Sequence, residues 1–368
     1  MVPLALPLAQ YRAHEKDMRA AIARVLDSGS YILGEEVESF ERAFASYCCV
    51  THAVGVGSGT DALILALKAL DIGLGDEVIT VSHTAVATVA AIIACAATPV
   101  LVDVDPVYYT IDPARIEAAI TPRSKAIIAV HLYGQPAPVN DVVAIARSHG
   151  LFVLEDCAQA TGARYRGRRV GSIGDIGCFS FYPTKNLGAI GDAGMVVTSD
   201  DALASRVRRL RQYGWDDVRV THEVGVNSRL DALQAAILAA KLPHLDADNT
   251  RRAALARRYA KGLAGVPITL PAERPQATHA FHLYVGACDM RDALMAHLAK
   301  CGIGCGIHYP APVHRQKGYC GHALLSPPDG LPVTEQLVAR IVSLPMYPEL
   351  LDAEVQATIA AVRGFYGK

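Results

Sequence analysis

The feature that most constrains the fold is a regular alternation of apolar strand-like segments with helix-like segments between about residues 52 and 200. The strand-like segments include AVGVGSG, EVITV, PVLVDVD, AIIAVHLYG and LFVLEDCA. Short runs that are apolar throughout are typical of strands covered on both faces of a parallel sheet. The pattern therefore predicts an α/β fold with a mostly parallel sheet between helices, and functional loops at the carboxyl ends of its strands.

The last third of the chain has a different pattern. Residues 229–262 are strongly helical apart from Pro243, and they are followed by FHLYVGA, a helix over residues 291–301 and the segment IGCGIHYPAP. A chain of 368 residues is long enough for two domains at roughly 150 residues each. We predict a large domain over residues 1–245, which includes an N-terminal helical segment, and a smaller C-terminal α+β domain over residues 246–368.

Composition excludes several classes of partner. The formal net charge is −1, from 35 Lys and Arg against 36 Asp and Glu, so we expect no nucleic-acid partner. The longest apolar run, residues 85–104, contains Pro99 and fits a helix followed by a strand, so we expect no membrane span.

The cysteines indicate a reducing compartment. There are nine of them, scattered along the chain, which argues against a disulfide framework and predicts a cytoplasmic protein. Cys301 and Cys305 have no second pair at zinc spacing, so we expect no metal site.

The segment from Val153 to Gly194 carries the strongest chemical signal. Asp156 ends the apolar strand VLED, and Lys185 follows the apolar segment CFSFY in a glycine-rich stretch. Taken alone, Asp156 also fits a helix N-cap, and Lys185 fits a solvated loop amine. Together they are what pyridoxal-phosphate (PLP) chemistry needs: an amine that forms an imine, and a carboxylate that pairs with the protonated pyridine nitrogen. Ser180 is placed to donate a hydrogen bond to the phosphate.

A candidate phosphate loop lies earlier in the chain. The segment GVGSGTD, from Gly55 to Asp61, connects a strand to the helix DALILALKAL. Backbone N–H groups at that helix N-terminus, with the Ser58 and Thr60 hydroxyls, would hold a phosphate. The loop matches neither the dinucleotide nor the Walker pattern, because Thr60 stands where a third glycine is required and no GK[ST] is present. A tight strand–helix turn with an N-cap is the alternative.

Over nearly its whole length the chain resembles the DegT/DnrJ/EryC1/StrS family of sugar aminotransferases. The resemblance rests on collinear motifs: YILGEEVESFE, SGTDAL, GDEVI, VDVDP, VHLYGQP, EDCAQATGA, SFYPTKNLGAIGDAG, GVNSRLDALQAAIL, GIHYPAP and LPMYPEL. It implies the fold-type-I architecture, in which a mostly parallel sheet of the seven-stranded type lies in the large domain, and it implies PLP as cofactor.

The resemblance also implies roles for individual residues. Lys185 corresponds to the lysine that carries the cofactor and Asp156 to the partner of the pyridine nitrogen, so these two are the expected catalytic residues. The remaining cofactor contacts would come from Gly59, Thr60, Asp61, His83, Gln159, Ser180 and Asn227, with Gln159 on the ring hydroxyl. The residues expected near the sugar substrate are Tyr182, Arg229, His308 and Tyr309. Asn227 would reach the phosphate of a second subunit, which implies a homodimer with shared active sites.

One position departs from the family's pattern. Many relatives carry an aromatic residue after the threonine of the VSHT segment, where it stacks on the pyridine ring, and this chain has Ala85. His83 lies in the same strand-end loop, and we expect it to take over the stacking. A loop histidine that points into solvent is the alternative.

The expected reaction transfers an amino group from L-glutamate to C3 of a nucleotide-linked, dTDP-type, 3-keto-6-deoxyhexose in amino-sugar biosynthesis. The C3 assignment rests on the segment around Lys185, where Tyr182 precedes the lysine and Asp192 follows it, a form that resembles the C3-directed members. The alternatives are amination at C4, a UDP-linked sugar, a cyclitol ketone, or a PLP-binding relative without turnover. A dehydratase would carry histidine at position 185.

Overall fold

A seven-stranded sheet forms the centre of the molecule. The computed structural model describes residues 1–319, 322, 324–327 and 330–368. Within these ranges the strands are β1 (His52–Val56), β2 (Glu77–Val81), β3 (Thr98–Val102), β4 (Ser124–Val130), β5 (Phe152–Asp156), β6 (Arg164–Tyr165), β7 (Arg168–Arg169), β8 (Ile176–Ser180), β9 (Gly194–Thr198), β10 (Ala277–Thr278), β11 (Tyr284–Ala287) and β12 (Ile341–Leu344).

Helices lie between and beyond these strands. They are α1 (Pro7–Ala13), α2 (Glu15–Ser28), α3 (Glu35–Cys48), α4 (Gly59–Ala69), α5 (Val86–Ala94), α6 (Val139–Ser148), α7 (Asp201–Leu210), α8 (Ala232–Lys241), α9 (Leu245–Gly262), α10 (Arg291–Lys300), α11 (Pro332–Arg340) and α12 (Asp352–Phe365). Short 3-10 turns occupy Pro113–Arg115, Glu117–Ala119, Leu132–Gly134, Leu242–His244, Val313–Arg315 and Lys317–Tyr319. In the described part of the chain, no helix is both long and apolar enough to cross a membrane.

The strand order of the large sheet is β1-β9-β8-β5-β4-β2-β3. Strands β8, β5, β4, β2 and β3 pair in parallel, whereas β9 runs antiparallel to both of its neighbours. The α/β class and the mostly parallel sheet of the fold-type-I architecture are therefore confirmed. Because β4, β5 and β8 run in the same direction, the loops that follow them meet at one edge of the sheet.

Apolar side chains cover both faces of this sheet. In β9, Val196 packs into a buried cluster that includes α4, α5 and α6, while Met195 and Val197 pack into a second cluster that includes α2, α3 and α8. Successive side chains of a strand point to opposite faces, so a strand with helices on both sides must be apolar at every position. This is the physical reason for the continuous apolar runs in the sequence.

A second, smaller sheet lies in the C-terminal part. Strands β11 and β12 pair antiparallel, and a separate buried cluster joins them to α9, α10 and α12. The N-terminal segment packs there too, because Val2 forms a parallel bridge with Ile303 and the Met346 N–H donates to the Leu4 carbonyl at 3.2 Å. The domain boundary between residues 245 and 246 stays a prediction.

Candidate active site

The carboxyl ends of β4, β5 and β8 and the N-terminus of α4 surround a cavity of about 560 Å³, which we call the central cavity. Its position agrees with the expectation that loops at the carboxyl ends of parallel strands carry function. The central cavity is lined by Ser58, Gly59, Thr60, Leu63, Thr84, Ala85, Val86, Ala87, Val130, His131, Leu132, Asp156, Ala158, Gln159, Ser180, Tyr182, Lys185 and Asp192.

One wall of the central cavity is the first turn of α4. The Ser58 hydroxyl caps this helix by accepting from the Asp61 N–H at 3.1 Å. The backbone at Gly59 lies so close to β8 that a Cβ there would come within 2.6 Å of Ser180 Cβ. The first N–H groups of a helix have no partner inside it, and the helix dipole is positive at this end. The wall is therefore suited to bind an anion such as a phosphate.

Asp156 lies at the floor of the central cavity, at the end of β5, and is 5% exposed. Its Oδ1 accepts from the Ala158 N–H at 3.1 Å, and its Oδ2 accepts from the Thr88 hydroxyl at 2.8 Å. Thr88 has one hydroxyl proton, so it must accept from Thr84, whose oxygen is 2.8 Å away. The two threonines hold the carboxylate in one orientation. Sequence analysis missed both threonines. The signal that could have indicated them is that they lie four residues apart, one helical turn, on either side of Ala85.

Lys185 lies in the loop after β8, half-buried, with its side chain facing the central cavity. The loop is tight: the Lys185 N–H donates to the Tyr182 carbonyl at 2.8 Å, and a Cβ at Gly188 would come within 2.4 Å of the Pro183 carbonyl oxygen. Burial lowers the pKa of the amine to about 8, against the opposing pull of the Asp156 carboxylate. A larger fraction of this amine is therefore unprotonated near neutral pH than for an ordinary lysine, which favours nucleophilic attack.

Gln159 connects the cavity to two tyrosines. Its Oε1 accepts from the Tyr133 N–H at 2.7 Å, and its Nε2 donates to the Tyr309 hydroxyl at 2.8 Å. Burial, and then the Asp156 carboxylate, raise the pKa of Tyr309 to about 12, so its hydroxyl keeps its proton at neutral pH. The amide and the phenol together provide donors for an anionic oxygen near Asp156.

These groups fit PLP at three points of the molecule. The α4 N-terminus with Ser58, Thr60 and Ser180 fits the phosphate, the Asp156 carboxylate fits the pyridine nitrogen, and the Lys185 amine fits the aldehyde carbon. When bound, PLP supplies an electron sink for the carbanion that forms when a proton leaves the amino carbon.

His83 does not line the central cavity. It is 1% exposed, its Nε2 lies 2.9 Å from the Tyr133 hydroxyl, and its ring lies edge-on to Tyr109 and Tyr133. Burial lowers the pKa of His83 to about 4. The cavity wall near Asp156 is instead formed by small apolar residues 85–87. Stacking by His83 on the pyridine ring stays a prediction, to which the observed position gives no support. The alternative, a loop histidine that points into solvent, is wrong, because His83 is buried.

Asp61 also points away from the central cavity. Its Oδ2 accepts from the Ser228 hydroxyl at 2.8 Å, and the same hydroxyl accepts from the Gly57 N–H at 2.9 Å. The carboxylate thus ties the phosphate loop to the segment before α8, which suggests a positioning role rather than direct contact with a phosphate.

Asn227 and Arg229, which belong to that same segment, lie outside the lining of the central cavity. Asn227 is exposed and Arg229 half-buried.

Two of the predicted sugar contacts line different cavities, and Lys185 lines both of these cavities. Tyr182 is 53% exposed at the rim of the central cavity. His308 lines a smaller cavity, and its Nδ1 lies 2.8 Å from the Ser343 hydroxyl. The expected residues around the lysine are therefore brought together, with the exceptions of His83, Asp61, Asn227 and Arg229.

A buried polar group next to the cavity contains His131, Glu155 and Cys157, whose ligand-type atoms lie within 4.8 Å of one another. The histidine and the carboxylate are engaged: His131 Nε2 lies 3.0 Å from Glu155 Oε2, and His131 Nδ1 accepts from the Ala137 N–H. Glu155 also accepts three backbone N–H bonds, from Gly171, Ile173 and Gly174. The group therefore fits a structural network that holds the strand ends.

The chain is similar to known proteins over nearly its full length. Residues 12–363 match the DegT/DnrJ/EryC1/StrS aminotransferase family. A dTDP-3-amino-3,4,6-trideoxy-alpha-D-glucose transaminase of Streptomyces venezuelae is 50% identical over 358 residues, which cover 96% of this chain and 93% of the relative. A UDP-N-acetyl-3-dehydro-alpha-D-glucosamine 3-aminotransferase of Acidithiobacillus ferrooxidans is 47% identical, with coverages of 98% and 97%. The crystal structure of Streptomyces venezuelae DesV matches with a TM-score of 0.97 at 48% identity, over 100% of this chain and 99% of that one.

Fold, cavity and similarity together define the class: the protein is a PLP-dependent aminotransferase. The chain belongs to the DegT/DnrJ/EryC1/StrS aminotransferase family.

Proposed function

We propose that this aminotransferase moves an amino group from L-glutamate to C3 of a dTDP-linked 3-keto-6-deoxyhexose. The observation that carries the reaction type is the half-buried Lys185 amine, with its lowered pKa, facing the same cavity as the Asp156 carboxylate and the α4 N-terminus. The full-length similarity to a transaminase named for a dTDP-linked 3-amino sugar supports the substrate class and the C3 position.

In this proposal Lys185 has two tasks. It attaches the cofactor through its amine, and it later carries a proton between the amino carbon and the cofactor's reactive carbon. A group that carries protons at neutral pH works best when its pKa lies near the working pH, and a pKa of about 8 meets that condition. Asp156 keeps the pyridine nitrogen protonated, held in place by Thr88 and the Ala158 N–H.

The remaining proposed cofactor contacts follow from the walls of the central cavity. Gly59 and Thr60 contribute backbone N–H groups, and Ser180 contributes its hydroxyl, to the phosphate. Gln159 donates to the ring hydroxyl, with Tyr309 beside it. Residues 85–87 would offer small apolar side chains, and no aromatic one, to a bound cofactor ring.

The residues at the rim of the central cavity are suited to bind a large polar substrate. Tyr182 is more than half exposed and stands directly before the loop of Lys185, where its hydroxyl can contact a sugar substituent. Asp192 lines the same cavity. Residues that flank the lysine decide which carbon of the sugar ring reaches the cofactor, because a displacement of the reacting carbon by about 1 Å costs on the order of a hundredfold in rate. Arg229 and His308 complete the proposed substrate contacts.

A UDP-linked 3-keto sugar is the second candidate substrate, favoured by the 47% identical relative named for a UDP-linked 3-keto amino sugar. Amination at C4 is a further outcome of the test below, and a cyclitol ketone is the remaining alternative if none of the nucleotide sugars is accepted.

We also propose a homodimer with shared active sites, in the cytoplasm. The segment around Asn227 is exposed beside large apolar side chains that are themselves exposed, namely Tyr213, Val218, Val220 and Val224. Contiguous exposed apolar groups often mark an interface. All eight cysteines of the described part of the chain are free thiols, which agrees with a reducing compartment.

The proposal is tested with defined sugars. The holoenzyme is incubated with L-glutamate and, separately, with 3-keto and 4-keto dTDP-hexoses and a UDP-linked 3-keto sugar, and the products are identified by NMR. We expect nitrogen at C3 of the dTDP sugar. Nitrogen at C4, with the 3-keto sugars inert, would contradict the regiochemistry.

The attachment residue is tested independently. Borohydride reduction of the holoenzyme and peptide mapping should place the cofactor on Lys185, and Lys185→Ala should abolish both the label and turnover. A label on another lysine would overturn the assignment.

A further inference from the structure

A second cavity, of about 160 Å³, is also lined by Lys185. We call it the N-terminal cavity, because residues 4–7 and Gln10 form one wall. Lys185 lines both cavities. The other walls come from the α9 side chain of Arg252, from His282 and from residues 346–349. Because a single water needs only about 15 Å³, the N-terminal cavity is large enough for a small ionic group.

Arg252 brings a buried positive charge to this cavity. It is 3% exposed, and its Nη1 donates to the carbonyls of Phe281 at 3.2 Å and Met346 at 3.0 Å. Its Nε is buried without a hydrogen-bond partner, and no carboxylate of the described chain lies within ion-pair distance of the guanidinium. Burial lowers the pKa of Arg252 to about 10, so it is still a cation at neutral pH.

His282 is a second buried group with unused hydrogen-bonding capacity in the same cavity. It is 7% exposed, and its Nδ1 has no partner. Burial, together with the nearby positive charges, holds the pKa of His282 well below its ordinary value. A buried polar atom without a partner destabilises the folded protein. Two residues with such atoms line a cavity that Lys185 also lines, which indicates a site whose ligand completes their hydrogen bonds.

Negative groups also face Arg252. Glu349 lines the cavity, and Asp248 lies close enough to act on both Arg252 and Glu349. Burial, and then the charge of Asp248, raise the pKa of Glu349, and its Oε2 has no partner. His14 acts on Glu349 as well, but burial lowers the pKa of His14. Glu349 would therefore oppose an incoming anion when ionised.

We propose that the N-terminal cavity binds a carboxylate of the amino-acid donor, with Arg252 as the group that provides the positive charge. The nitrogen of an amino donor must take the place of the Lys185 amine at the cofactor. In an amino acid, the carbon that carries this nitrogen also carries a carboxylate. The nucleotide sugar carries its charge on a diphosphate, which suits the wider central cavity; of its proposed contacts, His308 alone lines the N-terminal cavity. This inference rests on the proposed attachment of the cofactor to Lys185.

The first test measures binding without turnover. Glutarate, a dicarboxylate that lacks the amino group, is titrated into the holoenzyme by calorimetry. Arg252→Lys keeps the charge but loses the fork of N–H donors, and we expect glutarate to bind at least about tenfold more weakly, because a hydrogen bond to a charged group is worth about 1.5–3 kcal/mol. Arg251→Lys is the matched control: this neighbouring arginine also donates to two carbonyls but pairs with Asp352 outside the cavity. Unchanged glutarate affinity in Arg252→Lys overturns the proposal.

A second variant covers the case in which Arg252→Lys fails to fold. Glu349→Gln removes the opposing carboxylate, and we expect glutarate to bind at least about threefold more tightly. Unchanged or weaker binding overturns the proposal. dTDP is titrated in parallel, and its affinity should be the same in all variants. If dTDP rather than glutarate loses affinity in Arg252→Lys, the cavity takes a phosphate and the donor assignment is wrong.

The two half-reactions separate a donor site from a structural role. In Arg252→Lys, the glutamate concentration that half-converts the cofactor spectrum should rise at least about tenfold, whereas conversion in the reverse direction by the amino sugar should be unchanged. Equal loss in both directions overturns the proposal. If no nucleotide sugar is accepted at all, the proposed substrate is wrong, while the glutarate and glutamate results still decide the role of Arg252.

Discussion

At the scale of single residues, the proposed reaction depends on the charge of Asp156. Asp156→Asn keeps one hydrogen-bonding oxygen but no longer favours a protonated pyridine nitrogen. We expect kcat to fall at least about a hundredfold, equivalent to roughly 2.7 kcal/mol at ~1.36 kcal/mol per decade. Steady-state kinetics with saturating glutamate check this, with the melting temperature as the control for folding. Near-normal turnover would mean that another group protonates the ring.

Thr88 should act through Asp156 as a positioning residue. Thr88→Val is close to isosteric but removes the hydroxyl that donates to Asp156 Oδ2 at 2.8 Å. We expect kcat to fall about tenfold with KM little changed, since one neutral-to-charged hydrogen bond is worth about 1.5–3 kcal/mol and the Ala158 N–H remains. Thr88→Ser should restore kcat. A rise in KM alone, or a Ser variant as slow as Val, would contradict this role.

The buried amine of Lys185 makes the stability of the cofactor-free protein depend on pH. Its pKa of about 8 lies below the ordinary value of 10.5, so between these values the unfolded chain binds more protons than the folded one. Stability therefore rises with pH across that window, and the penalty for burying the charged amine is complete below about pH 8. Lys185→Met should be more stable than the wild type at pH 7, and its advantage should vanish by about pH 10.5.

Urea unfolding of both cofactor-free proteins at pH 7, 9 and 10.5 measures this difference. Lys241, a second buried lysine whose pKa burial lowers to about 8, is present in both proteins and cancels in the comparison. An advantage that does not change with pH would show that folding does not lower the pKa of this amine.

At the scale of elements, the N-terminus of α4 must approach β8 closely for the cavity wall to bind a phosphate. Gly59→Ala would place a Cβ 2.6 Å from Ser180 Cβ, so one of the two elements has to move. We expect a loss of about 1–3 kcal/mol in unfolding free energy and at least about tenfold weaker PLP binding. Gly73→Ala is the control, because its Cβ would meet its nearest neighbour, the Cys95 carbonyl oxygen, at an ordinary 3.6 Å.

Thermal unfolding and absorbance titration of the apoprotein with PLP measure the two effects. If Gly59→Ala binds PLP as tightly as Gly73→Ala does, the first turn of α4 is not the phosphate site.

The order of strands and helices along the chain was predictable from the sequence, because helices cover both faces of the sheet and its strands must therefore be apolar throughout. The continuous apolar runs, such as EVITV over β2, reflect burial on both faces, and β2 is indeed buried at all five positions. The antiparallel direction of β9 was not predictable in this way, because a strand buried on both faces has the same pattern whichever way it runs.

At the scale of the whole molecule, the proposed dimer makes a prediction about mixed subunits. Lys185→Ala subunits lack the attachment residue. Asn227→Ala,Arg229→Ala subunits lack Asn227, which is proposed to reach the partner's phosphate, and Arg229, which is proposed to contact the substrate. Each homodimer should be inactive, but a mixed dimer regenerates one intact site. We expect activity to reappear on mixing, up to about a quarter of the wild-type value at equal amounts if exchange is random. Activity assays after subunit exchange, followed by native mass spectrometry, check this; a dead mixture with exchange demonstrated would rule out shared sites.

The N-terminal segment couples the two parts of the molecule beside the active site. Val2 and Leu4 bond to the C-terminal part, while Gln10 donates to the Asn186 carbonyl at 3.3 Å and accepts from Lys241 at 2.7 Å. Asn186 follows Lys185 directly, so the first residues of the chain help to hold the lysine loop. The proposed division of the chain at residues 245 and 246 thus leaves the N-terminal residues in contact with both parts.

The sequence by itself determined the α/β class, the candidate lysine and carboxylate, and the helix N-terminus that fits a phosphate. Each of these is a local signal: an apolar run, a residue type at a strand end, or a glycine-rich turn before a helix. Only the tertiary structure decided that Asp61 turns to Ser228, that Thr88 holds Asp156, and that Arg252 and Lys185 line the same cavity. These contacts join positions far apart in the chain, and the direction of each side chain depends on how packed elements restrict its rotamers, which no local pattern records.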